Sequence, residues 1–298
     1  MIIRSLARRS HAFQCLAPAA RCRAAPPALF ARSLHNVATL DNHVELQTSG
    51  IPGLLTAKGF DTAYLQYQKL ITDELNYMTS GMTLENLDAK SLTIETARDP
   101  ARAYIFNLAS MAFNNHFFFK NINTNRDITS TPPADLVHEI NNHFVSMDTF
   151  KETFLGTADA MFGPGFVWLV QLNDTVRKEL RILSTYAAGS PLSGAHYRRQ
   201  ETDMNTQNPD SYRSLNPVGA FGKAAHVEQQ PKKPLGGVEL TPLLCVNTWE
   251  HVWLHDYGIR GKSQYLEAWW DRVDWNRVND MRSISTPQKK SEQMKFAY

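Results

Sequence analysis

The stretch Asn247-Thr248-Trp249-Glu250-His251-Val252-Trp253-Leu254-His255-Asp256-Tyr257 decides how this chain is read. It follows an apolar run, residues 240–246, that reads as a β-strand. Two related blocks come after it: Tyr265-Leu266-Glu267-Ala268-Trp269-Trp270 and Val273-Asp274-Trp275-Asn276. Two come before it: Phe162-Gly163-Pro164-Gly165-Phe166-Val167-Trp168-Leu169-Val170 and Asn115-His116-Phe117-Phe118-Phe119. Trp168, Trp249, Trp253, Trp269, Trp270 and Trp275 read as large core residues. Adjacent Trp269 and Trp270 cannot both face inward from one helix on this reading, so one of them is expected to anchor an interface.

Outward from these blocks, apolar periodicity supplies the framework. Tyr64, Tyr67, Leu70, Ile71, Leu75 and Met78 recur at three- and four-residue spacing and predict a helix over 60–78. Tyr104, Ile105, Leu108, Met111, Ala112 and Asn115 line one stripe of a second helix over 95–118. The two make an antiparallel helical hairpin, preceded by an irregular lead-in over 42–56. Thr131-Pro132-Pro133 opens short helices over 134–144 and 147–161, which Gly163-Pro164-Gly165 ends. Strands are expected over 166–172, 179–185 and 240–246, and helices over 264–270 and 275–282. The fold class is therefore α+β: an N-terminal helical hairpin followed by an α/β domain with a three-stranded antiparallel sheet.

The chain has 298 residues and a formal net charge of +2, and that near-neutral figure averages two different objects. Residues 1–40 hold Arg4, Arg8, Arg9, Arg21, Arg23 and Arg32 and no Lys, Asp or Glu. An Arg-rich, acid-free, Ala- and Leu-containing terminus reads as a mitochondrial presequence, assigned to 1–34. Without those six arginines the chain carries 25 basic and 29 acidic residues, a net of −4, which argues against generic attraction to polyanions. Cys15 and Cys22 leave with the presequence, so Cys245 stays alone and no intrachain disulfide is expected. No run of 18 consecutive apolar residues predicts a membrane span. The domain reading is a hairpin over 50–125, an α/β domain over 131–283, a polar insertion over 194–237 and a basic tail over 284–298. The insertion is poor in aliphatics and reads as an extension that orders on a partner. No CxxC, HExxH, GxSxG or Gly-rich phosphate motif occurs.

The five quoted blocks, in order and spacing, resemble the iron/manganese superoxide dismutases. That family reads Asp-x-Trp-Glu-His-Ala-Tyr, Asp-Tyr, Tyr-Leu-x-x-Trp and Asn-Trp, with Gly-Ser-Gly-Trp-x-Trp-Leu and Asn-His-x-Phe-Trp upstream. The resemblance implies a redox metal held by three histidines and one aspartate. Two of those histidines correspond to His116 and His251. The aspartate corresponds to Asn247 and the remaining histidine to Ala63, so two ligands are missing and neither a metal nor a cofactor is expected. The family's gating tyrosine corresponds to Ile71, a nearby histidine to Tyr67, and its outer glutamine to Ala112 or Arg181. An inward Arg181 would set a guanidinium where the metal charge stood; the open alternative is an Arg181 turned to solvent. The resemblance makes Glu250, His251 and Leu254 interface residues, because in that family each Glu accepts from the partner's ligand His across a twofold.

A mitochondrial, ligand-deficient dismutase fold with polar extensions resembles the superoxide-dismutase-like proteins of the fungal mitochondrial small ribosomal subunit. That resemblance implies a structural role in the matrix and mitochondrial ribosomal proteins as partners, including a related dismutase-like paralogue. It also implies limited rRNA contact, through Arg198, Arg199, Arg213, Lys223, Lys232, Lys233, Lys289, Lys290 and Lys295. The alternatives are an active matrix Mn/Fe superoxide dismutase with unusual ligands and a matrix adaptor outside the ribosome.

Overall fold

A computed structural model of the chain describes residues 35–97, 99–125, 130–173, 178–193, 195 and 239–282. Apart from Ala195, the insertion 194–237 lies outside the described residues, as do the segments 1–34 and 284–298. Arg198, Arg199, Arg213, Lys223, Lys232, Lys233, Lys289, Lys290 and Lys295 fall there too.

The helical half comprises α1 (His43–Ser49), α2 (Ala57–Phe60), a π-helical segment (Asp61–Gln66), α3 (Tyr67–Thr79), α4 (Ala89–Thr96) and α5 (Ala103–Lys120). The lead-in is more ordered than its sequence suggested. α1 forms there because Leu46, 2% exposed, gives that turn one residue to bury. The second hairpin helix is shorter than expected and is preceded by a separate helix. Pro100 has no N–H and disfavours helical geometry in the residue before it, so α4 ends at Thr96. Asp99 then accepts from Ala101 N–H and starts a 3-10 turn that leads into α5.

The second half comprises α6 (Ala134–Phe144), α7 (Met147–Ala160), β1 (Gly165–Asn173), β2 (Lys178–Tyr186), β3 (Leu240–Asn247), α8 (Glu250–Tyr257), α9 (Lys262–Trp270) and α10 (Trp275–Met281). The sheet order is β2-β1-β3, all antiparallel. β1 is central and buried from Gly165 to Gln171, which explains its nearly continuous apolar sequence. β3 is an edge strand and accommodates Pro242 next to a register shift at Leu169/Val170.

Trp269 and Trp270 are both core residues, at 0% and 9% exposure, so neither anchors an interface as the sequence suggested. They end a short helix that other elements enclose. Trp269 stacks on Phe154 of α7, while Trp270 meets Phe150 of α7 and Trp275 of α10.

The Asp-Tyr pair of the signature joins the two halves. Asp256 accepts from Thr56 N–H at 2.8 Å and Thr56 Oγ1 at 2.7 Å, and Tyr257 donates to Leu54 O at 2.7 Å. Thr56 is itself the cap of α2, accepting from Gly59 N–H. A Cβ at Gly59 would lie 2.2 Å from Asp256 Oδ2, so the glycine makes room for the carboxylate. Asp256→Ala removes both bonds at this junction and is expected to cost about 1–3 kcal/mol in urea unfolding.

Candidate functional site

The residues that sequence comparison set against the family's metal ligands do converge, but what assembles is a chain of amides. Ala63 is fully buried in the π-helical segment and presents only a methyl group. Its carbonyl accepts from Asn115 Nδ2 at 3.2 Å. Asn115 Nδ2 also lies 3.4 Å from Gln68 Oε1, and Gln68 Nε2 donates to Ala112 O at 2.9 Å. On its other side, Asn115 Oδ1 accepts from Asn247 Nδ2 at 3.2 Å. Asn247 Oδ1 accepts from Trp249 N–H at 2.9 Å. The backbone N–H can only donate, so the Asn247 amide is oriented by chemistry: oxygen toward Trp249, nitrogen toward Asn115. Gln68, Asn115 and Asn247 are all essentially buried.

His116 and His251 flank this chain, each held by a tyrosine. Tyr64 Oη donates to Ala38 O at 2.6 Å, a partner that can only accept. The 2.8 Å bond between Tyr64 Oη and His116 Nδ1 must therefore have the histidine as donor, which fixes His116 as the Nδ1–H tautomer. Burial lowers the His116 pKa and raises that of Tyr64, keeping both neutral. His251 stacks on Tyr67 with centroids 4.0 Å apart, and its Nε2 is buried without a hydrogen-bond partner. Burial pushes the His251 pKa down to about 4 and that of Tyr67 up to about 12.

This donor set does not fit the family's metal. It offers two neutral imidazoles, no carboxylate, and an amide nitrogen where an anionic oxygen would be needed. Among the described residues no group of three or more His, Cys, Asp or Glu could hold a metal ion.

Arg181 does not replace the metal. Strand alternation buries Leu180 of β2 and turns Arg181 outward, where its guanidinium pairs with Glu179 at 2.7 Å. Gln68, Tyr67 and Asn115 carry the site instead. Tyr67 and Asn115 had left a trace in the sequence, Tyr67 at the position of a family histidine and Asn115 as a polar interruption of an apolar stripe, whereas Gln68 had left none.

Glu250, in the first turn of α8, is exposed, and Leu254 is 40% exposed. Phe162 follows Met161, whose carbonyl accepts from Lys262 Nζ at 2.9 Å, and that ammonium feels the Glu250 carboxylate. Phe162 is 98% exposed. Glu250, His251 and Leu254 share α8, and His251 turns to Tyr67.

Comparison with known proteins agrees with this architecture. The family model described as iron/manganese superoxide dismutases, C-terminal domain, matches residues 132–199 and 220–281. The chain has an α+β fold like that of the iron/manganese superoxide dismutases. The chain is similar to small ribosomal subunit protein mS43 of Schizosaccharomyces pombe, 28% identical over 76% of this chain and 78% of that one. It is also 28% identical to small ribosomal subunit protein mS42 of the same organism, over 63% of this chain and 71% of that one. An iron superoxide dismutase of Legionella pneumophila is 26% identical, over 72% of this chain and 82% of that enzyme.

Two expectations test the site of this dismutase fold. Asn115→Ala leaves Asn247 Nδ2 and Gln68 Oε1 without their shared partner, and is expected to cost about 2–3 kcal/mol by chemical denaturation. The second concerns pH. An unfolded histidine titrates near 6.5 and folded His251 near 4, so between those values only the unfolded chain binds the proton. The His251 contribution is full above pH 6.5 and is lost as pH falls to 4, a loss of about 3 kcal/mol. Stability measured against pH should fall less steeply in His251→Gln than in the parent.

Proposed function

We propose that this chain is a structural component of the mitochondrial small ribosomal subunit, built on a dismutase fold that has ceased to turn over superoxide. The observation that carries the reading is the Asn115–Asn247 bond. An amide nitrogen stands where redox chemistry would need an anionic oxygen, and Ala63 offers no ligand atom. The similarity to mS43 and mS42 supplies the assembly, and the presequence assigned to 1–34 supplies the route to the matrix.

Docking occurs through the surface formed by Glu250, His251, Leu254 and Phe162, and the partner is a related dismutase-like chain. Glu250 is an exposed anion and Phe162 an exposed ring, a charged selector and an aromatic anchor of the kinds that protein interfaces use. The insertion 194–237 and the tail 284–298 reach further proteins and limited stretches of rRNA through Arg198, Arg199, Arg213, Lys223, Lys232, Lys233, Lys289, Lys290 and Lys295. Arg181 takes no part at the former metal centre.

Sedimentation of mitochondrial lysate tests the reading. The protein should travel with the small subunit, and absence from that fraction refutes it. Phe162→Asp and Glu250→Ala should each weaken capture of the dismutase-like partner by about tenfold or more while the fold is kept. The purified protein should consume no superoxide above the rate in buffer; activity with bound Mn or Fe would instead favour an enzyme with unusual ligands.

A further inference from the structure

We infer that the outer face of α3 docks a cationic amphipathic helix of a neighbouring protein, on a surface distinct from the one around Glu250. α3 carries two apolar stripes. Ile71 and Leu75, with Gln68, Thr72 and Thr79, face the core. Leu70 and Tyr77 form the other, 58% and 80% exposed. Seven residues apart, they lie on one face and about 10 Å from each other along the axis.

The hairpin gathers more apolar surface at the same end. Gln68 bonds to Ala112 and Asn115 to Ala63, an antiparallel pairing of α3 with α5. Following it along both helices brings Asn76 level with Tyr104, which is 52% exposed. Met82, just past α3, is 48% exposed. Three large apolar side chains, Tyr77, Met82 and Tyr104, therefore stand in solvent at one end of the hairpin, with Leu70 about 10 Å along α3, more than the scattered single residues ordinary surfaces show.

Charge selects the occupant. Around the helix the nearest neighbours of the Leu70–Tyr77 stripe are Gln66, Tyr67, Asp73 and Glu74, whereas Lys69 stands about a quarter turn away. Arg102, near the base of α5, is already paired with Asp99 at 3.2 Å. The described residues as a whole contain 13 Lys and Arg against 22 Asp and Glu. A nucleic acid backbone is repelled by such a face, and a second copy of this chain would set Asp73 and Glu74 against themselves. An apolar ridge edged with lysine or arginine meets every requirement. Its leucines cover Leu70 and Tyr77, its cations meet Asp73 and Glu74, and the tyrosine rings accept cations on their faces.

The test uses the full chain and a fluorescein-labelled helical peptide with leucine at the a and d positions of each heptad and lysine elsewhere. A matched peptide with glutamate in place of lysine is the control. The lysine peptide should bind and the glutamate peptide should not. The charge-neutral double variant Leu70→Ser, Tyr77→Ser should lose about tenfold or more in affinity while its circular dichroism stays that of the parent. Asp73→Lys with Glu74→Lys should reverse the preference between the peptides. Glu250→Ala should leave peptide binding as it was, which separates this face from the other surface. Undiminished binding by the serine variant means attraction to the acidic body alone and overturns the inference. So does equal binding of the two peptides, preferential binding of an RNA duplex, or self-association that the serine variant abolishes.

Discussion

The hydrogen bond from Asn247 Nδ2 to Asn115 Oδ1 joins the end of β3 to the middle of α5, and the two halves of the molecule meet through it. A buried carboxylate at position 247 would need a cation to compensate its charge. An amide brings its own donor and acceptor, so Gln68, Asn115 and Asn247 close a chain from Ala112 O to Trp249 N–H with no ion required. The substitution at Ala63 suits the same arrangement. A methyl side chain leaves room beside the π-helical turn, and the Ala63 carbonyl accepts from the Asn115 amide.

Neutrality at the centre extends to its neighbours. His116 is locked as one tautomer by Tyr64, and His251 is kept neutral by burial against Tyr67. A site of this kind stiffens the core through neutral hydrogen bonds. The chemistry that remains sits outside, in the exposed Glu250 and Phe162, in the hairpin face of Leu70 and Tyr77, and in the acidic excess of the described body. The same α3 helix supplies Tyr67 and Gln68 to the interior and Leu70 and Tyr77 to the surface, so one helix joins the core to an exposed apolar face.

Much of this was legible in the sequence, for identifiable reasons. The aromatic blocks at 115–119, 162–170 and 247–257 carry fold-specific residue types at fixed spacing, and each lies where the fold requires it. β1 announced itself by a continuous apolar run, because a central strand is buried on both faces. The misses have a common origin. Burial of Trp269 together with Trp270 and the helix at 43–49 depend on what distant segments pack against them, and so does the choice between the two directions left open for Arg181. Gln68 escaped notice because its partners, Ala112 and Asn115, lie on another helix.

The sequence by itself determined most element types, the hairpin-then-sheet order and the side-chain chemistry at Ala63 and Asn247, a methyl group and an amide, since periodicity and side-chain chemistry are local properties. Tertiary structure alone decided how Asn247 and Arg181 are paired. An amide can face either way and an arginine on a strand can point inward or out. Those choices are settled by the groups that other parts of the chain bring within hydrogen-bonding distance: Trp249 N–H and Asn115 for Asn247, and Glu179 for Arg181.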